Sequence, residues 1–231
     1  MLKAINLTKT YGKHQALSQL NLSVDKGEIF CLLGQNGAGK TTTINLFLGL
    51  IGATEGEALI DGIAVQPNNN KTSQKIAYIP EVVQLYSNLS GIENLNFFSR
   101  LAGFKYSNTE LSDLLLKVGL QETAHHNKMS SYSKGMRQKV GIAIALSKNA
   151  DYIFMDEPIS GLDPKAALEF TKICKGLSDE GKAIFMATHD IFNAVNVGTK
   201  IGIMKEGKLV HTSTTDQISA TELQNLYLKT I

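Results

Sequence analysis

No tryptophan occurs among the 231 residues, cysteines number two and prolines four, and neither sign of charge dominates, with 23 basic against 21 acidic side chains and a formal net charge of +2. Each shortage excludes something. Cys31 and Cys174 lie far apart with no metal-ligand spacing, so two reduced thiols are expected rather than a disulfide or a zinc site. A near-zero net charge without a block of like charges leaves no electrostatic footprint for nucleic acid, and no nucleic-acid partner is expected. The longest apolar runs, such as Ile142 to Leu146, reach about five residues, whereas a bilayer span needs ~20. The opening residues Met1 to Asn6 lack the apolar core of a signal peptide, so a soluble intracellular protein is expected. No internal repeat or low-complexity linker is found, and Asn68-Asn69-Asn70 reads as a loop. What is present is a chain with 43% apolar residues, long enough to bury a core as one large domain or one domain with a lobe.

The first third reads as strands and tight turns. Leu2 to Leu7, Leu17 to Val24 and Ile29 to Leu33 are apolar or alternating runs, and Glu57 to Ile60 with Ile63 to Val65 forms a hairpin about Asp61-Gly62. Ile76 to Ile79 is a further strand, stopped by Pro80. Ser90-Gly-Ile-Glu93 and Ser107-Asn-Thr-Glu110 are capping boxes that predict two helices ended by Gly103 and Gly119, and a third helix is predicted over roughly Lys134 to Lys148. Alternation then resumes. The strand Tyr152 to Met155 is followed by a helix capped by Asp163-Pro164, then a strand at Ala183 to Ala187. A pairing of Ile201 to Met204 with Leu209 to Val210 and a short helix after Ser219-Ala-Thr-Glu222 complete the chain. The expectation is one α/β domain: a nucleotide-binding core at 1–80 and 151–215, a helical subdomain at 81–150 and a C-terminal helix at 216–231.

Gly34-Gln-Asn-Gly37-Ala-Gly39-Lys40-Thr41 fits a P-loop lying between an apolar strand and a helical run, the context that motif needs. Its glycines let backbone N–H groups wrap a phosphate while the next helix adds its positive dipole end. Lys40 would bridge the terminal phosphates, and Thr41 would offer a hydroxyl to Mg²⁺. A guanine reader of the Asn-Lys-x-Asp type is missing, because Asn127-Lys128 runs on into Met129-Ser130. Tyr152 to Glu157 is an apolar strand ending in two acids. Asp156 is read as holding Mg²⁺ through water, and Glu157 as accepting a hydrogen bond from the water that attacks the γ-phosphate.

Together with Ser133-Lys-Gly135-Met-Arg-Gln, which is similar to a signature motif, these residues resemble the ATP-binding cassette (ABC) family. Ser160-Gly-Leu-Asp163 looks like its D-loop, His189 like its switch histidine, and Tyr11 falls where its adenine-stacking ring lies. The resemblance covers about residues 2 to 215. It implies a P-loop NTPase (RecA-like) core with N-terminal antiparallel strands and an inserted helical subdomain. It also implies an ATPase that closes head-to-tail with a second, identical or homologous, ATPase subunit over two ATPs. Nucleotide contacts are implied for Tyr11, Gly34, Asn36, Gly37, Ala38, Gly39, Lys40, Thr41, Thr42 and Asp163, and across the dimer for Ser133 and Gly135. Mg²⁺ contacts are implied for Thr41, Glu81 and Asp156, and catalytic roles for Glu157, His189 and Lys40.

The chain departs from the family pattern at two places. Tyr132-Ser133-Lys134-Gly135-Met136 replaces Leu-Ser-Gly-Gly-Gln, and Glu81 stands where a Gln is usual. Both variants are similar to ATPases of the export branch that pair with a separate six-helix permease. In the family the region near residues 82–98, here carrying Leu85, Tyr86, Leu89 and Phe97, faces the permease's coupling helix, and core packing of the helical lobe stays open for individual residues of this stretch. A cytoplasmic subunit held peripherally at the inner face of the membrane is therefore implied. A soluble ABC ATPase acting on ribosomes or DNA is weighed against this, but neither a second cassette nor long heptad arms are present. A non-hydrolysing regulator is opposed by Glu157 and His189. His14, His125, His126 and His211 are read as ordinary histidines.

Overall fold

The structure, a computed structural model, describes residues 1–67 and 70–230; within the loop expected at Asn68-Asn69-Asn70, Asn68 and Asn69 lie outside the described residues. The elements run β1 (Leu2–Tyr11), β2 (His14–Val24), β3 (Ile29–Gly34), α1 (Lys40–Phe47), β4 (Glu55–Ile60), β5 (Ile63–Ala64), α2 (Asn70–Ser73) and β6 (Ile76–Ile79). They continue with α3 (Gly91–Leu101), α4 (Asn108–Lys117), α5 (Lys134–Ser147), β7 (Tyr152–Asp156), α6 (Pro164–Asp179), β8 (Ala183–Thr188), α7 (Ile191–Val197), β9 (Lys200–Lys205), β10 (Lys208–Thr214) and α8 (Ala220–Thr230).

Two sheets form, in the orders β2-β1-β4-β5 and β10-β9-β3-β8-β7-β6. The first is antiparallel throughout. In the second, five strands run parallel and only β10 runs against its neighbour. The parallel strands are covered on both faces, which is why they read as unbroken apolar runs. Strand alternation sorts their side chains between two cores. Phe30, Leu32, Phe154 and Phe185 meet α1 and the antiparallel sheet, whereas Ile29, Cys31, Leu33, Ile153, Met155, Ile184 and Met186 meet the helices beyond the other face. Phe30 stacks on Phe185 at 5.6 Å, and Phe47 of α1 stacks on Phe154 at 5.6 Å, so the helix that follows β3 is pinned to the sheet by its last turn.

The capping boxes form as read. Ser90 and Glu93 exchange both hydrogen bonds at the start of α3, as do Ser107 and Glu110 at α4 and Ser219 and Glu222 at α8. The strands β1 and β2 are longer than their alternation suggested. Register shifts between Ala4 and Thr10 break the two-residue period, so the extension to Tyr11 is invisible to a pattern reading. Helix α7 is also absent from the sequence reading, being only seven residues capped by Asp190. Cys31 and Cys174 are free and buried, and burial pushes the Cys31 thiol up to about 12, which leaves it unreactive. Among the described residues, no helix is long and apolar enough to cross a membrane.

Candidate functional site

Strands β3, β8, β7 and β6 lie side by side, and their carboxyl ends stand level, with Leu33 beside Thr188, Ala187 beside Asp156 and Met155 beside Ile79. The residues that leave those ends therefore share one edge of the sheet, where α/β folds gather their ligands. These are the Gly34–Thr41 loop, His189, the pair Asp156-Glu157, and Glu81.

The loop wraps tightly because two of its glycines have backbones that side chains resist. Gly37 has φ +84° and Gly39 φ +107°, and a Cβ on Gly39 would stand 2.7 Å from the Ala16 carbonyl. Gly39 is also the N-cap of α1 and offers no side chain to it, whereas α3 to α7 are all capped by Ser or Asp. The first N–H groups of α1 are thus left to whatever occupies the space before them. That space is a cavity of about 360 Å³ lined by Tyr11, Asn36, Gly37, Gly39, Lys40, Thr41, Thr42, Glu81, Asp156 and Glu157. Gly34 and Ala38 lie behind this wall, Gly34 as the last residue of β3 and Ala38 buried. Lys9 Nζ lies 5.0 Å from the centroid of the Tyr11 ring, over one face of it.

Lys40 Nζ donates to the carbonyls of Gly34 (2.6 Å) and Gln35 (3.3 Å) and stands 3.7 Å from Glu157 Oε1. Thr41 Oγ1 donates to Asp156 Oδ2 at 2.9 Å. Burial, with Glu157 and Glu81 nearby, raises the Asp156 carboxyl above its ordinary range, against the pull of the Thr41 hydrogen bond and of Lys40. Three carboxylates crowding one wall is an arrangement that an added cation would relieve.

Glu157 is the pivot of the site. Its backbone sits at φ +44°, a strained value for a side-chain-bearing residue, and is held by a hydrogen bond from its N–H to the Ala187 carbonyl at 2.9 Å. Oε2 lies 2.9 Å from His189 Nδ1 and accepts from the His189 N–H at 3.3 Å, while Oε1 is buried without a hydrogen bond. His189 and Ser160 line a second cavity of about 740 Å³ on the far side of Glu157.

Ser133, Gly135 and Asp163 do not reach the P-loop cavity of their own chain. They line a third cavity, of about 600 Å³, between α4, α5 and α6. Ser133 caps α5 by accepting from the Met136 N–H, and Asp163 caps α6 by accepting from the Ala166 N–H. Tyr132, the departure from the usual Leu, is buried, and its hydroxyl donates to the Ala124 carbonyl at 2.6 Å, tying the start of α5 to the preceding loop.

The stretch 82–98 divides. Leu85 packs against the core, whereas Val82, Tyr86 and Phe97 are exposed, with Tyr86 edge-on to Phe97 at 5.0 Å. Buried Asn94 fixes the Tyr86 backbone through both its N–H and its carbonyl. Sequence reasoning missed three residues. His14, set aside as ordinary, lines the P-loop cavity beside Tyr11 because β2 returns along β1 there. Asn94 acts through the Tyr86 backbone in the irregular stretch before α3, and Gln138 through carbonyls far off in sequence, so no periodic pattern marks either role. His125 fits the ordinary reading, buried between Ser112 Oγ and the Leu120 carbonyl.

The chain matches the ABC transporter family over residues 17–160. It is 36% identical over 224 residues to the bacitracin transport ATP-binding protein BcrA of Enterococcus faecalis, covering 96% of this chain and 70% of that protein. It is 34% identical to the lantibiotic transport ATP-binding protein SrtF of Streptococcus pyogenes, covering 91% and 89%. The dimeric ATP-binding cassette MJ0796 bound to ADP and Pi superposes with a TM-score of 0.81 at 30% identity, over 93% of this chain and 99% of that one. With a phosphate-shaped loop, two acids and a histidine at one sheet edge, and these relatives along nearly its whole length, the chain belongs to the ABC transporter family, as an ATP-binding and ATP-hydrolysing subunit.

Proposed function

We propose that the chain is the ATPase of an exporter: two subunits close head-to-tail over two ATPs, and that closure drives a separate permease. The observation that carries this reading is the convergence of four strand ends on a cavity faced by an uncapped helix. The P-loop N–H groups and Lys40 take the phosphates, with Asn36, Ala38 and Thr42 completing the loop. The base stacks on the Tyr11 face opposite Lys9. Glu157 Oε1, buried beside Lys40 at 3.7 Å and without a hydrogen bond, accepts from the attacking water, and His189 steadies Oε2. Ser133, Gly135 and Asp163 complete the site of the partner subunit. This assignment explains why they line a different cavity from Lys40.

The oxygens of Thr41, Asp156 and Glu81 suit Mg²⁺, a hard cation that keeps several waters and takes only one or two carboxylates along with phosphate oxygens. Mg²⁺ would offset charge on the phosphates as they are transferred. Glu81→Gln removes one negative charge at the rim of this wall. The Mg²⁺ concentration for half-maximal turnover should rise about fivefold, the factor given by on the order of 1 kcal/mol for a single solvated charge. Mg²⁺ titrations that overlay the parent would remove Glu81 from the metal site.

The chain is read as a core at 1–80 and 151–215, a helical subdomain at 81–150 and a C-terminal segment at 216–231 that carries α8 (Ala220–Thr230). The exposed patch of Val82, Tyr86 and Phe97 on the helical subdomain is the permease contact, which puts the protein at the cytoplasmic face of the membrane. The names of BcrA and SrtF, which speak of bacitracin transport and lantibiotic transport, support a transporter subunit. Tyr86→Glu with Phe97→Glu should abolish co-purification with a polytopic protein encoded beside this chain. Undiminished capture by the double variant would move the permease contact elsewhere.

A further inference from the structure

Helix α5 begins at Ser133, and one of its faces is built into the loops that leave β7 and β6. Lys134, Gln138 and Gly141 stand at i, i+4 and i+7, and therefore on one side of the helix. The Lys134 ammonium donates to the Ser160 carbonyl. Gln138 Nε2 donates to the Pro158 carbonyl at 2.9 Å and to the Glu81 carbonyl at 3.4 Å. At Gly141 the space that a Cβ would fill is taken by Val83, 3.1 Å away. Gln138 is 2% exposed, so its hydrogen bonds are not exchanged for water.

Of the two carbonyls that Gln138 holds, one belongs to Glu81, which lines the P-loop cavity, and the other to Pro158, the neighbour of Glu157 on that wall. Pro158 directly follows Glu157, whose φ of +44° persists only while neighbouring contacts hold it. The Ala187 carbonyl restrains Glu157 from the N-terminal side, and Gln138 restrains the same segment from the C-terminal side. Glu81 contributes its side chain to the cavity wall and its carbonyl to Gln138.

We propose that Gln138 is a positioning residue for ATP hydrolysis: its buried amide locks Glu157 and Glu81 to α5, so that whatever engages the N-terminus of α5 sets both acids at once. This rests on the assignment of Glu157 as the group that accepts from the attacking water. Gln138 does not line the P-loop cavity; it acts through the backbone carbonyls of Glu81 and Pro158.

Gln138→Met keeps the length and burial of the side chain and removes the donor. In assays run well below its melting temperature, kcat should fall by roughly ten- to a hundredfold, the usual cost of a displaced catalytic group, with KM for ATP within about twofold of the parent. A merely structural role would lower the melting temperature and leave kcat in place. Glu157→Gln, assayed in parallel, separates the two readings. Parent-like kcat in Gln138→Met beside an inactive Glu157→Gln overturns the positioning role alone, whereas an active Glu157→Gln overturns the assignment on which it rests.

Gln138→Glu gives an independent test should the methionine variant fail to fold. The introduced carboxyl can donate to the Pro158 carbonyl only when protonated, and burial raises its pKa. The rate relative to the parent should therefore climb as pH is lowered from about 8.5 to about 6. A ratio that stays flat across that range contradicts the proposal.

Discussion

Glu157→Gln should still bind ATP but lose turnover by ~10²–10⁴-fold, the range that loss of a positioned base produces. The substitution keeps shape and volume at a residue whose backbone is already held by Ala187, so the fold has no reason to change. What changes is the acceptor. Oε1 lies buried with no hydrogen bond, and Oε2 is engaged by His189, so in the parent Oε1 is the oxygen available to a water in the cavity. An amide has only one acceptor oxygen. If that oxygen faces the His189 N–H, the position of Oε1 becomes a donor and repels the water's proton. Because the proposed reading has nucleotide held by the P-loop and not by Glu157, ATP-bound dimers should persist and elute as dimers in size exclusion. Phosphate release at the parent rate would overturn the role assigned to Glu157.

Lys40→Ala and Ser133→Arg should each come close to abolishing turnover, through different parts of the site. Lys40 is the only lysine on the P-loop cavity wall among the described residues, and removing such a charge from transferring phosphates costs on the order of 10²–10³-fold. Ser133→Arg leaves the P-loop cavity of its own chain intact and places a long side chain at the N-terminus of α5. It also removes the cap made to the Met136 N–H, a stability loss of about 1 kcal/mol, or roughly 2–4 °C in melting temperature for a chain of this size. That loss is too small to unfold the protein at assay temperature. Ser133→Ala, which loses the cap but adds no bulk, should share the melting shift and retain far more turnover. Equal turnover in Ser133→Ala and Ser133→Arg would mean that the capping bond, and not access to the helix N-terminus, is what matters.

The parts of this site that were legible in the sequence are those made by short segments. The P-loop works through consecutive backbone groups, so its residues stand in a row. The three Ser-x-x-Glu caps close over i to i+3, and Asp156-Glu157 marks a strand end because the strand before it is wholly apolar. The role of Gln138, which ends the signature-like motif, escaped notice because its partners, Glu81 and Pro158, are brought to it only by the packing of α5 across two strand ends. His14 escaped because its place on the cavity depends on where β1 turns, and bulges in β1 hide that point. The D-loop carries no local mark of what it faces. Its Ser160 carbonyl is met by Lys134, a contact that joins it to the helix beginning at Ser133.

On the proposed reading the two halves of each catalytic site come from different chains, and mixing the two inactive variants separates this from a site built within one chain. Lys40→Ala keeps an intact Ser133, and Ser133→Arg keeps an intact Lys40. A mixed dimer therefore contains one site with both residues intact and one with neither. With random pairing of equal amounts, and sites that fire independently, activity should return to about a quarter of the parent rate per chain, since half the dimers are mixed and half their sites are whole. Recovery well above either variant alone is expected. Mixed dimers that form in ATP, seen by cross-linking of differently labelled chains, yet release phosphate no faster than the separate variants would contradict it.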